Sequence, residues 1–255
     1  MLDVKAIESV ITRALQEKIS SYNPEPNSMP FHTRLLGRDR MALYSFIHSL
    51  STSFGTKIFE RVALQLAADR FTKVEQQKSV GKTISTGAQT VIAEIVTALR
   101  SGNIQPNASE AVKQIRLVAR TGDPVQIRLP KVDIYLEEEG EIVLIELKTA
   151  KPNVDGFEKV KQNLLEWIAA IFYQDIGAQV TAFVGIPYNP DYPKPYARWT
   201  LRGMLEIENN KELKVADELW DFFAGEPIYN ALLDCFERVG IEMREEIDAY
   251  FKRFT

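Results

Sequence analysis

PKVDIYLEEEGEIVLIELK, residues 130–148, holds two short runs rich in Val, Ile and Leu on either side of an EEEG turn. Runs of this length and composition, bounded by Pro and by turn residues, read as two β-strands of a hairpin. EIVLIELK is almost continuously apolar, which implies cover on both faces of the sheet. Side chains alternate along a strand, so Glu146 and Lys148 share one face while Ile145 and Leu147 take the other. A symmetric four-residue loop at EEEG would set Asp133 opposite Leu144. That places it on the face of Glu146, one diagonal step away and within reach of it. A slip of one residue would carry Asp133 to the opposite face.

Two carboxylates and an ammonium in a mostly apolar sheet call for a reason, because burying an unpaired charge is costly. Adjacent carboxylates repel unless a cation joins them, and hard oxygen ligands suit Mg²⁺. Such a cation can neutralise charge developing on a phosphate and activate water. A lysine beside it can position or deprotonate that water, or stabilise the pentavalent phosphorus. All three groups thus have roles in phosphodiester hydrolysis. The plainer alternative is a Glu146–Lys148 salt bridge at a strand end, with Asp133 simply opening its strand. The spacing Asp-x12-Glu-x-Lys does not by itself choose between them.

Outward from the hairpin, residues 157–173 (FEKVKQNLLEWIAAIFY) return to helical spacing and QVTAFVGIP reads as a further strand. PVQIRL, just upstream, reads as a strand too. Residues 3–20 carry Val4, Ile7, Val10, Ile11, Ala14 and Leu15 on one stripe, an amphipathic helix. SYNPEPNSMP follows as a non-helical connection. Helices are expected over roughly 38–50, over 53–72 behind the capping candidates Ser51, Thr52 and Ser53, and over 83–100. ADELWDFFAG and IYNALLDCFERVGIEMREEIDAYFKRF close the sequence as helices interrupted at Gly225 and Gly240. This order predicts one domain, 1–255, with a helical N-terminal part (1–120), an α/β core (about 121–207) and a helical C-terminal part (208–255).

The 255 residues are 45% apolar and 26% charged, an ordinary globular composition. No apolar run approaches the roughly 18 residues that span a bilayer. Asp3, Lys5 and Glu8 stand where a signal peptide would be apolar. Cys235, the single cysteine, allows no internal disulfide. A cytoplasmic protein without membrane contact is expected. The net charge is −4, but residues 1–131 carry 18 Lys/Arg against 11 Asp/Glu and residues 132–255 carry 13 against 24. Nucleic-acid binding needs a basic surface where the phosphates lie, not a basic total.

Other signals fall away. Gly81-Lys82-Thr83 lacks the glycine that a phosphate-binding loop needs at position 76, where Gln76 stands, and no strand is expected to lead into it. His32 and His48 fit no zinc pattern. Cys235 lies at helical spacing among Leu232, Leu233 and Phe236, as a core thiol would. Trp167, Phe172 and Tyr173 read as core, and Glu137–Glu139 as a solvated turn.

Asp133, twelve further residues and then Glu146-Leu147-Lys148, on a hairpin followed by a helix, resembles the PD-(D/E)xK nuclease core. ELKTAKPNVDGFEKVKQNLLEW (146–167), MPFHTRLLGRDRMALYSFIHSLSTSFGTKIFERVA (29–63) and WDFFAGEPIYNALLDCFERVGIEMREEIDAYF (220–251) resemble type II restriction endonucleases of the TdeIII family. The resemblance implies an α/β fold with a restriction-endonuclease-like core, a central mixed β-sheet flanked by α-helices. It also implies a homodimer that cuts double-stranded DNA at a short symmetric sequence with Mg²⁺, beside a cognate DNA methyltransferase. On this reading Asp133 and Glu146 are metal ligands and Lys148 the catalytic lysine. One departure is that Pro130 stands three residues before Asp133, with Val132 adjacent. Such nucleases often add a glutamate from an upstream helix. Glu60 is the candidate here, against the alternative of a surface glutamate, with Glu94 behind it. For DNA contact the candidates are Arg34, Arg38 and Arg40 near the proline-bounded loop, Lys151 and Asn153 after the catalytic lysine, and Lys159 and Lys161 on the following helix. Arginine suits bidentate contact with phosphate or guanine. The rival readings are another nuclease of the same fold, acting in repair, recombination or on RNA, and a DNA-binding protein with an idle site.

Overall fold

The structure is a computed structural model and describes residues 3–22, 29–148, 156–196, 203–208 and 211–252. It divides into two compact units: residues 1–66 with 228–255, and residues 67–227.

The second unit is built on a five-stranded mixed sheet in the order β1-β4-β5-β6-β7. Its strands are β1 (Lys73–Lys78), β4 (Val132–Glu138), β5 (Glu141–Leu147), β6 (Gln179–Ile186) and β7 (Leu213–Val215). β1 pairs with β4 and β4 with β5 antiparallel, while β5, β6 and β7 are parallel. A separate two-stranded ribbon pairs β2 (Thr83–Ser85) with β3 (Pro124–Gln126). The hairpin between β4 and β5 is tighter than the sequence reading has it. Glu139 and Gly140 alone form the turn, both with positive φ (49° and 82°), and Glu138 pairs with Glu141. A two-residue turn of this hand matches the strand twist.

Parallel pairing of β5 and β6 requires a crossover, and α7 (Gly156–Gln174) belongs to it. Its helix is buried almost all round, with Phe157, Val160, Leu164, Leu165, Trp167, Ile168 and Phe172 inside. It packs against β5 and β6 on one side and against α5 (Thr86–Arg100) and α6 (Ala108–Val118) on the other. α5 and α6 begin at side-chain caps, where Ser85 and Asn107 accept from Ala88 and Glu110 backbone N–H groups. At the other edge α8 (Asp217–Ala224) lays Phe222 edge-on against Phe183 of β6, with ring centroids 5.3 Å apart. Gly185 of β6 makes this approach possible, since a Cβ there would stand 2.8 Å from side-chain atoms of both Leu147 and Leu219.

The first unit is helical. α1 (Val4–Ser21) buries Ile7, Ile11 and Ala14 and packs on α9 (Tyr229–Glu242), where Arg238 pairs with Glu8 at 2.5 Å. α2 (Pro30–Leu36) and α3 (Arg38–Ser53) follow, then a π-helical turn (Phe54–Phe59) and α4 (Glu60–Ala67), with α10 (Arg244–Phe251) last. Phe46, Tyr250, Phe251 and Tyr22 form an aromatic cluster, and the Tyr250 hydroxyl donates to the Tyr22 carbonyl at 2.7 Å.

Several sequence expectations are corrected. The helix expected over 53–72 is continuous with α3, so Ser51, Thr52 and Ser53 lie inside a helix rather than ahead of its first turn. It ends at Ala67, and a strand, β1, follows ahead of Gly81-Lys82-Thr83; Gln76 still replaces the required glycine. Gly240 interrupts nothing, because α9 runs through it and the break comes at Met243. The sheet unit begins at residue 67 rather than near 121, and both ends of the chain join in the helical unit. No helix of the described residues is long and apolar enough to cross a membrane.

Candidate active site

Asp133 lies in β4, Glu146 in β5, and Lys148 directly follows β5. With the two-residue turn, Ile134 pairs with Ile145, and one more step of the same register sets Asp133 opposite Glu146. The expected pairing with Leu144 is corrected by two residues; Leu144 faces Tyr135. A shift of two keeps every side chain on its face, so the two carboxylates still share a face and stand squarely opposed.

Each group is held. Asp133 Oδ2 accepts from the Leu147 backbone N–H at 2.8 Å, and Oδ1 from Gln77 Nε2 at 3.0 Å. Lys148 is fixed through its backbone, its N–H donating to the Gly185 carbonyl at 3.0 Å, and its Nζ reaches Glu146 Oε1 at 2.5 Å. Glu146 is buried, and among the described residues its second oxygen, Oε2, has no hydrogen-bond partner. Burial pushes the Glu146 carboxyl above its usual range, Lys148 opposes this, and the Asp133 charge adds to the rise. Burial also raises Asp133, against the hydrogen bonds from Leu147 and Gln77 and the charge of Lys148. Both carboxylates are thus short of positive charge even with the lysine present.

A divalent cation fits this arrangement on its chemistry. Two carboxylates provide hard oxygen donors, and the buried, unpartnered Oε2 needs a cation or a donor. Among the described residues no three His, Cys, Asp or Glu side chains gather into a ready-made cage. The Glu146–Lys148 ion pair of the plainer sequence reading is present as well, and the two readings share the same atoms.

The remaining candidates are scattered. Glu60 opens α4 in the helical unit and is buried there with an interaction partner, so it is not a surface glutamate. Glu94 is exposed on α5. Arg34, Arg38 and Arg40 are exposed and sit on α2 and α3, on helices rather than in a loop. Lys159 is exposed in the first turns of α7. Lys161 is corrected: it is 1% exposed and pairs with Glu212 at 2.5 Å, so it presents no charge to a DNA backbone. Lys151 and Asn153 lie outside the described residues.

Two residues beside the carboxylates escape the sequence reading. Gln77 belongs to β1, a strand whose polar sequence KVEQQK gives no apolar alternation, and it reaches Asp133 from a positive φ of 52°. Asn163 is buried on α7 and contacts Glu146, favouring its charged form. A signal for it exists: Val160, Asn163, Leu164 and Trp167 follow the spacing of a core stripe, and Asn163 is the polar member.

A central mixed sheet flanked by helices, with two carboxylates on adjacent strands and a lysine just past the end of one of them, is consistent with a restriction-endonuclease-like fold. The family model described as type II restriction endonuclease, HinfI, matches residues 4–240, and the chain belongs to that family. It is 26% identical over 245 residues to the type II restriction enzyme MjaII of Methanocaldococcus jannaschii, a match covering 87% of this chain and 65% of that protein. It is 24% identical over 252 residues to the type II restriction enzyme HgiEI of Herpetosiphon aurantiacus, covering 92% and 88%. HgiBI of the same organism, also a type II restriction enzyme, is 23% identical over 234 residues, covering 89% and 83%. The family is thus that of HinfI; the likeness of the sequence blocks to the TdeIII family is not what this match reports.

Proposed function

We propose that the chain is a type II restriction endonuclease with a PD-(D/E)xK core, hydrolysing phosphodiester bonds of double-stranded DNA at a short symmetric sequence. The observation that carries this reading is the opposed pair Asp133 and Glu146 beside Lys148, with one buried Glu146 oxygen unpartnered. The type II restriction enzymes to which the chain is similar support the same reaction class.

Asp133 and Glu146 would hold Mg²⁺, which when bound supplies Lewis-acid stabilisation of charge on the scissile phosphate and an acidified water. Asp133, fixed by the Leu147 N–H and Gln77, presents its carboxylate in a set direction. Lys148 sits 34% exposed at the end of β5, with its ammonium on Glu146. From there it orients the attacking water and stabilises the negative charge that gathers on the phosphoryl oxygens. The products are a 5′-phosphate and a 3′-hydroxyl. Arg34, Arg38, Arg40 and Lys159, with Lys151 and Asn153, are proposed to contact the duplex, and Glu60 to approach the cation from outside the sheet. A two-fold homodimer matches a symmetric site and cuts both strands. A cognate methyltransferase would protect host DNA in the cytoplasm where the enzyme acts.

The test is a digest of plasmid and phage DNA by the purified chain with Mg²⁺ or with EDTA. Discrete, reproducible fragments that require Mg²⁺ are the expected result. A smear would point to a nuclease without sequence preference, and intact DNA would remove the assignment.

A further inference from the structure

Fourteen large apolar side chains are exposed among the described residues, and seven of them lie between Met29 and Ile47. The other seven are spread over residues 104–241, as exposed apolar groups on any surface are. α2 sets Phe31 and Leu35 one helical turn apart, at 85% and 82% exposure, with Leu36 beside them. None of its residues is buried, and a helix of seven residues does not hold itself in water. α3, on which it packs, carries two apolar stripes. Met41, Ala42 and Phe46 are buried, while Leu43, Tyr44 and Ile47 stand exposed at the spacing of a second stripe. The outer face of a monomer's surface helix is polar, whereas a helix apolar on both sides is covered on both.

At about 200 Å² for a large side chain, these seven residues expose on the order of 800 Å². That exceeds the roughly 300–600 Å² of the largest apolar patch on a typical monomer. It matches the share of about 800 Å² that each partner gives to a stable interface of standard size. Aromatic and aliphatic groups accompanied by Arg34, Arg38 and Arg40 have the make-up of a protein interface, whereas a phosphate backbone would leave the apolar groups uncovered. Asp39 is exposed among those arginines, so a two-fold contact can set it against an arginine of the second copy.

We propose that the outer face of α2 and α3 is the surface through which two copies of the chain associate. This rests on the reading of the chain as a two-fold homodimer, and the test separates the two. Sedimentation equilibrium of the full-length wild type is compared with that of Leu35→Glu, Ile47→Glu and a control on α6, Leu117→Glu, whose leucine is 75% exposed. Far-UV circular dichroism checks folding, and a gel shift follows binding of duplex DNA. The wild type and Leu117→Glu sediment at twice the chain mass. Leu35→Glu and Ile47→Glu raise the dimer dissociation constant at least about thirtyfold, the size of a central interface residue, and keep the wild-type helix content. If these variants do not fold, hydrogen exchange of the wild type decides: the amides of α2 become protected as rising concentration carries the chain from monomer to dimer. Wild-type mass in both face variants, or α2 amides that exchange alike at every concentration, would overturn the proposal and leave the homodimer standing. Variants that stay dimeric but no longer shift duplex DNA would give the face to DNA and overturn it as well. A wild type that is monomeric at every concentration would overturn both the surface and the homodimer.

Discussion

Glu146 and Asp133 are held above the ordinary carboxylate range, chiefly by burial, and this sets how the metal-free protein responds to pH. The folded chain binds these two protons more tightly than the unfolded chain does. Stability is therefore fuller at low pH and declines as the pH rises from the unfolded values through the raised folded ones. Glu146→Gln removes one desolvated charge, so its metal-free Tm should exceed that of the wild type near pH 8, and the gap should close towards about pH 4. A divalent cation should raise the wild-type Tm at pH 8 and leave that of Glu146→Gln unmoved. Thermal unfolding followed against pH, with and without Mg²⁺, measures both; a variant less stable at every pH would show that Lys148 outweighs burial. These residues were legible because they are charged positions in two strongly apolar strands. Gln77 was not, since an amide on a polar strand carries no comparable contrast, and Asn163 shows only as the polar member of a core stripe.

The hairpin, α7 and β6 were readable as elements because their apolar patterns are long and dense. β1 at the edge of the sheet carries a single apolar residue, Val74, and β7 is three residues long, so neither gives a period to read. The turn was misjudged by one pair of residues, because Glu139 accepts a positive φ that sequence pattern alone assigns only to Gly140. Lys161 shows how a charge on a helix misleads: its place next to the exposed Lys159 suggests a common surface, yet helical geometry turns it into the core. There it meets Glu212, whose Oε2 accepts from the Glu206 backbone N–H at 2.8 Å and whose carbonyl accepts from the Val184 N–H at 3.0 Å. The pair ties α7 to the segment that leads into β7. Lys161→Met strands a buried carboxylate, and removing one partner of a buried pair costs about 3–5 kcal/mol. Denaturant unfolding of the sheet unit should show a loss of that order, whereas Lys159→Met should cost little.

At the scale of the molecule, the joining of both chain ends in one helical unit was hidden from sequence, because the pairing of α1 with α9 spans most of the chain and leaves no local mark. The charge asymmetry was visible, and the exposed Arg34, Arg38 and Arg40 fall in its basic half. If they meet phosphates, the affinity for a non-cleaved duplex in Ca²⁺ should fall with salt. Each arginine replaced by Ala should then lower the slope of log affinity against log salt by about 0.9. Fluorescence anisotropy across a salt series reads this directly, and unchanged slopes would place the DNA on another surface. Whether Asp133, Glu146 and Lys148 carry out the cleavage is decided by a plasmid digest with Mg²⁺. Asp133→Asn, Glu146→Gln and Lys148→Ala are run beside the wild type, with gel-shift binding of the same DNA as the control. Discrete fragments are expected from the wild type and cutting lowered at least about a hundredfold in each variant, with the band shift retained. Fragments produced at the wild-type rate by any of the three would contradict that role.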